Sequence, residues 1–536
     1  MQRRWRLCLL LFVFLLNTVP LVFALAQNAN DPHVKRPLLA VKTPTPPTID
    51  GDLSDTAWAA APKADGFVDR QNGTGVPDQT IASLLYDEKF LYIAFRCRDS
   101  QPEKIVARET VRDQKFQRGD SGDNEDNVEV DFDPFLTHRS DDFARFSVNP
   151  LGTKSARISG GRGGKAEWKG DWDAVVKRVA DGWVVEMRIP WGILSYPNGK
   201  KAVTMGLNFT RWQDRTKTLS IWSNTGPQNF QENEGLWNDV AVPLSAFHPR
   251  LSVLPYILPN TQGLRPGFRS GLDARYPFTP ELTGVASLNP DFGTIEGAVE
   301  GIAFSRSERF VPERRPFFLE GNDYFQAGQD FSVGRYFYSN RIPIFSVGTK
   351  FFGKVTSSDT VGVLNAESFG NRNDLVARYR HDLSPTSNVG LFLMQKSAFD
   401  DNNSVGVLVQ DARRGKFGVA SELALSSGRD AGGDAKEVNL TYGDKFIFTS
   451  VQLLDVSPRF RDADGLIGFT DYRGAATFQD WGAQWRKGFW RAFDVGVFTQ
   501  LDWHRDGRPF RRGGNVFVYL EARRDWSVSL NVNADK

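Results

Sequence analysis

Past residue 370 the sequence becomes a succession of short segments in which every second residue is apolar, a period that a strand can use and a helix cannot. Val438, Leu440 and Tyr442 alternate with Glu437, Asn439, Thr441 and Gly443. Phe493, Val495, Val497, Leu501 and Trp503 alternate with Asp494, Gly496, Gln500, Asp502 and His504. Trp526, Val528, Leu530 and Val532 alternate with Ser527, Ser529, Asn531 and Asn533. A soluble sandwich alternates too, but its strands are usually about 5 to 6 residues long. Several of these segments run to roughly 9 to 12 residues, the length that crosses a bilayer when tilted. The pattern therefore predicts a transmembrane antiparallel β-barrel, with a large soluble antiparallel protein as the alternative.

The first 26 residues have the layout of an export signal. Arg3, Arg4 and Arg6 form a basic start, Leu7 to Leu16 an apolar run, and Ala24-Leu25-Ala26 a small-residue end, which predicts cleavage before Gln27. A membrane-anchoring helix is the other reading of this stretch. Elsewhere nothing approaches the roughly 20 apolar residues of a helical span, so further membrane contact falls to strands, as in a Gram-negative outer membrane. The net charge of +2 drops to near neutrality once the three leader arginines are removed, a balance that does not suggest a nucleic-acid partner. Of the two cysteines Cys8 lies in the leader, so Cys97 is left without an internal disulfide partner and any cysteine-based metal cluster is excluded.

Residues 27–48, with Pro44, Pro46 and Pro47, read as an extended linker. From 49 to 247 the pattern is one of short strands with irregular loops. Ile81–Leu85, Phe90–Arg98, Val128–Phe132, Phe143–Val148, Ala174–Val179, Trp183–Ile189 and Val203–Arg211 are the candidates, separated by turn signals such as Asp181-Gly182, and together they indicate a β-sandwich. His248-Pro249 marks the seam to a second domain, 248–536, with early strands at Leu251–Leu258, Leu272–Tyr276 and Leu282–Leu288. Residues 289–345 abandon alternation and concentrate Phe, Arg, Glu and Pro. A loop of that length is seldom idle, and it is expected to fold into the barrel lumen or across its mouth. From Phe345 to Asn533 roughly 12 or 13 strand segments follow, about 15 or 16 in all, where an even number is expected for closure. The chain ends at Asn533-Ala534-Asp535-Lys536 without the terminal aromatic many such barrels carry, so either closing strands lie beyond this chain or its end is misread.

Ile49-Asp50-Gly51-Asp52-Leu53 followed by Trp58, then Asp126-Asn127-Val128-Glu129-Val130-Asp131-Phe132-Asp133, Trp172-Asp173-Ala174-Val175 and Gly182-Trp183 through Pro190-Trp191 resemble the family 9 carbohydrate-binding module. Asn289-Pro290-Asp291-Phe292-Gly293, Phe310-Val311-Pro312-Glu313-Arg314-Arg315-Pro316-Phe317-Phe318-Leu319-Glu320-Gly321 and Phe337-Tyr338-Ser339-Asn340-Arg341-Ile342 resemble the outer-membrane barrel called domain of unknown function 5916, which often follows such modules. The resemblance implies an all-β protein in the outer membrane, with carbohydrate and outer-membrane lipid as its partners.

Sugar recognition needs flat aromatic faces and planar polar side chains that bond hydroxyls in pairs. Trp168, Trp172, Trp212, Trp222 and Trp237 lie in or beside expected loops, with Arg145, Asn149, Arg211, Asn224 and Asn238 near them in sequence. Core packing is the alternative for each, and is expected for Trp58, Trp183 and Trp191. The sharpest expectation is a carbohydrate site built from Trp172, Trp212, Trp222, Arg145, Asn149 and Arg211. The acidic run Asp120, Asp123, Asn124, Glu125 and Asp126 offers oxygen ligands for Ca²⁺, which family 9 modules bind, with Asp123, Asn124 and Asp126 as the expected ligands and a plain acidic loop as the alternative.

An exported glycoside hydrolase with an auxiliary module is the competing class, since such an enzyme needs only two suitably spaced carboxylates and the chain has 64 acidic residues. No serine elbow, HExxH or phosphate-cradling glycine loop is present, and His33, His138, His248, His381 and His504 form no ligand spacing, so no catalytic residue is assigned. Glu313, Arg314, Arg315 and Glu320 are expected to form an ion-pair network in the lumen, as a plug or as a constriction selective for hydroxylated solutes.

Overall fold

The computed structural model describes residues 35–535, apart from 115, 117–123, 140–141, 159–170, 198–201, 244–248, 261–266, 291–309, 327–333, 445, 486–487 and 523–525. The expected leader, Trp168, Asp120 and Asp123 lie outside the described residues.

The N-terminal part contains strands β1 (Pro37–Leu39), β2 (Lys63–Ala64), β3 (Val68–Asp69), β4 (Thr80–Tyr86), β5 (Phe90–Arg98), β6 (Asn127–Asp133), β7 (Ala144–Val148), β8 (Lys154–Arg157), β9 (Asp173–Val179), β10 (Gly182–Pro190), β11 (Val203–Gln213), β12 (Thr218–Ile221) and β13 (Gly235–Val240). They form two facing sheets, one ordered β1-β13-β11-β6-β7-β8 with β12 and β3 branching from β11, the other β2-β4-β5-β10-β9. Alternation decides which side chains lie between the sheets. Val128, Val130 and Phe132 of β6 and Met205, Leu207 and Phe209 of β11 point inward against Ile93 and Phe95 of β5 and Val185, Met187 and Ile189 of β10. Trp191 stacks on Trp237 with ring centroids 6.1 Å apart. Burying each such side chain contributes about 1.5–3 kcal/mol. Gly182 is required at the hairpin between β9 and β10, because a Cβ there would lie 1.9 Å from the Cys97 carbonyl oxygen.

The expected linker is partly a strand. Residues 37–39 pair in parallel with β13, because Leu38 between two exposed neighbours has a core to enter.

The second part contains β14 (Ser252–Asn260), β15 (Gly267–Pro277), β16 (Leu282–Leu288), β17 (Gly334–Arg335), β18 (Val347–Lys354), β19 (Asp359–Ser368), β20 (Arg372–Ser384), β21 (Ser387–Ala398), β22 (Asn402–Arg414), β23 (Phe417–Gly428), β24 (Asp434–Gly443), β25 (Ile447–Val456), β26 (Leu466–Ile467), β27 (Tyr472–Gln484), β28 (Trp490–His504), β29 (Pro509–Ala522) and β30 (Ser527–Asp535). All but β17 and β26, which pair with each other, belong to one 15-stranded up-and-down antiparallel sheet running from β14 to β30 in chain order. The count matches the expected total, though it is odd. Registry carries one parity across the sheet. Glu437 lies opposite Glu422 and Leu454, whereas Val438 lies opposite Ser421 and Leu453.

One face gathers around the segment that breaks alternation. Phe317, Phe318, Tyr324, Phe325 and Phe345 pack with Val285 of β16, Phe352 of β18, Leu364 of β19, Val376 of β20, Phe392 of β21, Val407 of β22, Ala424 of β23 and Leu454 of β25. A sheet whose strands from β16 to β25 all reach one cluster is curled around it. The opposite face presents exposed Leu391, Leu393, Leu408, Leu425 and Leu530. The fold is therefore all-β, a sandwich followed by a barrel-type antiparallel sheet with a plug on its inner side.

The sandwich is seated on one end of that barrel. Its loop 134–142 contributes Arg139, which reaches Asp382 of β20 at 3.2 Å and Asp411 of β22 at 3.5 Å, and Asp142, which meets Arg380 at 2.9 Å and Lys354 at 3.3 Å. Glu232 pairs with Arg413 of β22, and Arg491 of β28 donates to the Lys217 carbonyl at 3.2 Å. These barrel residues sit beside the short connections 355–358, 385–386, 415–416 and 485–489, while the long connections 289–346 and 457–471 leave the other end.

Candidate functional site

Because odd positions of β6 and β7 and even positions of β11 point away from the core, the outer face of the larger sheet carries Glu129, Asp131, Arg145, Ser147, Thr210 and Trp212. Arg145 grips Asp131 through two bonds of 2.6 and 2.7 Å, and Ser147 donates to Glu129 at 3.1 Å. Asp131 foremost, then Glu129, holds the Arg145 guanidinium above its usual pKa. Arg157 of β8, on the same face, pairs with Asp323 of the plug. This is a polar face with one half-buried tryptophan, in which Asp131, Ser147 and Thr210 are buried and Arg145, Asp131, Ser147 and Glu129 bond one another, and Arg157 turns it toward the plug.

Of the six expected sugar-binding residues, Trp212 and Arg145 share this face and the other four do not. Trp172 is 1 % exposed, edge-on to Phe146 at 5.3 Å with the Lys154 ammonium 5.5 Å from its ring centre. Trp222 is 2 % exposed, between Phe209 and the Arg36 guanidinium. Both rings are covered, which corrects the expectation that they stack on a sugar. Trp237, named as a candidate with them, lies in the core against Trp191. Asn149 is fully buried and builds a turn, accepting the N–H groups of Leu151 and Thr153 and donating to the Glu109 carbonyl at 2.8 Å. Arg211 points between the sheets, donating to the Arg98 carbonyl at 2.6 Å and to Asp99 at 3.2 Å. A buried charge is tolerated only when paired this way, so Arg211 is committed to the fold.

Of the expected calcium ligands, Asp123 lies outside the described residues and Asp126 is turned to structural work. Asp126 is buried and accepts the Val106 N–H at 2.9 Å, Glu125 accepts the Glu109 N–H at 3.0 Å, and Asn124 is half-buried. Burial pushes the Asp126 carboxyl up to about 6.

A second concave surface was not anticipated. A cleft of about 630 Å³ is lined by Phe90, Tyr92, Arg188, Lys42, Asp87 and Glu88, with the Arg188 guanidinium 5.1 Å from the Phe90 ring centre. Phe90 is the half-buried first residue of a strand whose next five residues are all buried, and that position at a strand end was the available signal.

In the lumen, Arg315 pairs with Glu313 at 2.7 Å and donates to the carbonyls of Ile342 and Ser339, both at 2.6 Å. Glu320 meets Arg275 of β15 at 2.9 Å, and Lys350 donates to the Phe317 carbonyl at 3.0 Å. The ion pairs thus tie the plug to itself and to the wall.

Asp133, His138 and Glu234 converge where the outer face meets the barrel, with His138 Nδ1 2.8 Å from Glu234 and 3.8 Å from Asp133. Burial pushes Asp133 up to about 6, raises Glu234 well above the carboxylate range, and lowers His138 to about 4. The three residues lie on β6, on a loop and just before β13, so no local spacing announces them.

Residues 49–240 match the family described as carbohydrate family 9 binding domain-like, and residues 248–369 match domain of unknown function DUF5916. No curated protein matches the chain. Among solved structures, a provisionally named carbohydrate-binding protein from Bacteroides uniformis is similar at 13% identity over 38% of this chain and 99% of its own, with a TM-score of 0.29. The outer membrane protein OpdK of Pseudomonas aeruginosa is similar at 9% identity over 77% of this chain and 92% of its own, TM-score 0.27. A BenF-like porin of Pseudomonas fluorescens is similar at 9% identity over 87% and 95%, TM-score 0.29. The chain thus carries a carbohydrate family 9 binding-like module over residues 49–240, followed by a barrel that opens with the DUF5916 domain.

Proposed function

We propose that this chain is a Gram-negative outer-membrane protein that captures an oligo- or polysaccharide on its sandwich module, beside the mouth of its own barrel, in glycan uptake or catabolism. The observation that carries the membrane part is the inverted alternation of the long strands. Leu391, Leu393, Leu408, Leu425 and Leu530 are 43 to 58% exposed along a sheet whose other face holds Lys350, Arg380, Glu437 and Asp502. An apolar band of that extent is stable facing lipid and a liability facing water. No helix among the described residues is long and apolar enough to span a membrane, so the strands are the candidates for crossing.

The capture part rests on the family match together with the polar face carrying Trp212, Arg145, Asp131 and Glu129, whose side-chain types suit hydroxylated ligands. Outer-membrane barrels keep their short turns on the periplasmic side. The module sits against the short connections, which supports a periplasmic position for it. Ligand emerging from the lumen would then meet the module at raised effective concentration.

Fractionation combined with glycan binding tests both parts. Heat-modifiable migration in the outer-membrane fraction is expected, as is binding of xylan, cellulose or chitin fragments by the detergent-purified chain. Recovery as a soluble monomer would overturn the membrane assignment. Failure to bind any of the three glycans would reduce the module to a docking domain.

A further inference from the structure

The cluster Asp133–His138–Glu234 has a charge problem that its surroundings do not solve. Its side chains are 0 to 3% exposed. Asp133 Oδ2 accepts the His138 backbone N–H at 2.6 Å, but Asp133 Oδ1 and Glu234 Oε2, both buried, meet no protein donor other than a proton shared between the two carboxyls. Unpaired carboxylate oxygens in such a place are strongly unfavourable unless a proton or a cation meets them. His138 bonds the Gln231 backbone, and its Nδ1 lies 2.8 Å from Glu234 Oε1. Three potential ligand atoms therefore meet around a point that either a shared proton or a bound cation can neutralise. Lys35, Arg139 and Arg413 act on His138 only through space.

The backbone is shaped to this meeting. His138 is held at φ +56°, and Gly206 stands where a Cβ would lie 2.2 Å from Glu234 Oε1. A cleft of about 350 Å³ between module and barrel, lined by His138, Arg139, Phe230, Gln231, Asp411 and Arg413, gives the cluster an approach from outside.

We propose that Asp133, His138 and Glu234 bind a divalent cation of the zinc class, and that this ion pins residues 134–139 for docking on the barrel. One imidazole and two carboxylates match the zinc ligand set, whereas calcium takes oxygen ligands alone. The Gln231 backbone orients the imidazole as an outer partner does in metal sites. Arg139 of this segment and Asp142 just beyond it reach the barrel turns, so the ion stands at the root of the module–barrel seam.

The test uses the full, untagged chain in detergent, stripped with a chelator and then titrated with Zn²⁺ alone. One zinc per chain is expected by elemental analysis, with a higher unfolding temperature for the module. His138→Gln and Glu234→Gln should each weaken zinc binding by more than about tenfold while heat-modifiable migration is kept. Zinc-edge X-ray absorption on the wild type reads the ligands directly and should show one imidazole with oxygen neighbours, which decides the matter even where a variant does not fold. A zinc-free wild type, equal zinc content in wild type and folded variants, or a spectrum without imidazole would overturn the site and leave shared protons as what holds the cluster together.

Discussion

The sandwich and the barrel are written in the same two-residue code and read it in opposite senses. In β6 the apolar members, Val128, Val130 and Phe132, are at most 1% exposed and the acidic ones line the outer face. In β21 to β23, Leu391, Leu393, Leu408 and Leu425 stand outside while Val407, Glu422 and Ala424 turn in. What separates them is strand length and what occupies the inner side. Strands of 5 to 11 residues in β6, β7 and β11 close on a second sheet. Strands of 12 and 13 residues in β21 to β23 curl around a plug that needs charged as well as apolar partners.

The largest effect that would sharpen this contrast comes from the module core. Trp191→Ala, which removes a fully buried ring stacked on Trp237, should cost the module about 3–5 kcal/mol. Thermal unfolding should show it, while the barrel keeps its heat-modifiable migration. Loss of both together would mean that the two regions fold as one unit.

Next is a charge on the barrel exterior. Leu408→Arg, at a position 54% exposed, should cost about 2–4 kcal/mol if that face meets the bilayer interior. At a similarly exposed site in water the change is usually within about 0.5 kcal/mol. Denaturant unfolding from lipid vesicles measures it, and a neutral result would break the membrane reading.

The pH dependence of the module separates them further. Asp126 has its pKa raised from 3.8 to about 6 by burial, so its contribution is fully present below pH 4 and is lost as pH rises through 6. Asp126→Asn should therefore flatten module stability between those values, by about 2 kcal/mol, in unfolding curves at pH 4.5 and pH 8. An unchanged difference between the two curves would show that the carboxyl keeps its charge inside the fold.

The smallest expected effect concerns ligand. Trp212→Ala should weaken glycan binding by about 1 kcal/mol, the scale of one aromatic contact, in calorimetry on the whole chain. Trp222→Ala should act on stability instead, since its ring is covered. If the two act alike on binding, the outer face is not where the sugar sits.

Parity explains how much of this was legible in the sequence. Alternation in β24, β28 and β30 fixed both faces without knowledge of the fold, and the plug stood out because residues 289–345 broke the rhythm. The site was harder. Arg211 and Trp212 are adjacent on one strand and so must face opposite ways, yet both were expected to touch sugar. Only the position of the second sheet says that the odd residues of β11 go inward. Asp133, His138 and Glu234 were beyond sequence reading, because the sheet order that places β13 beside β11, and β11 beside β6, brings distant segments to one point.

The seam between module and barrel is stitched by charge: Arg139 with Asp382 and Asp411, Asp142 with Arg380 and Lys354, Glu232 with Arg413. Because Asp142, Arg380 and Lys354 are almost fully buried, ions in the surrounding fluid screen the centre of this joint little. Parting it would also uncover Phe135, which lies under Lys354, and Phe230, which lies under Arg413. Any displacement of the module would have to break these buried pairs together and would draw Arg157 away from Asp323 of the plug.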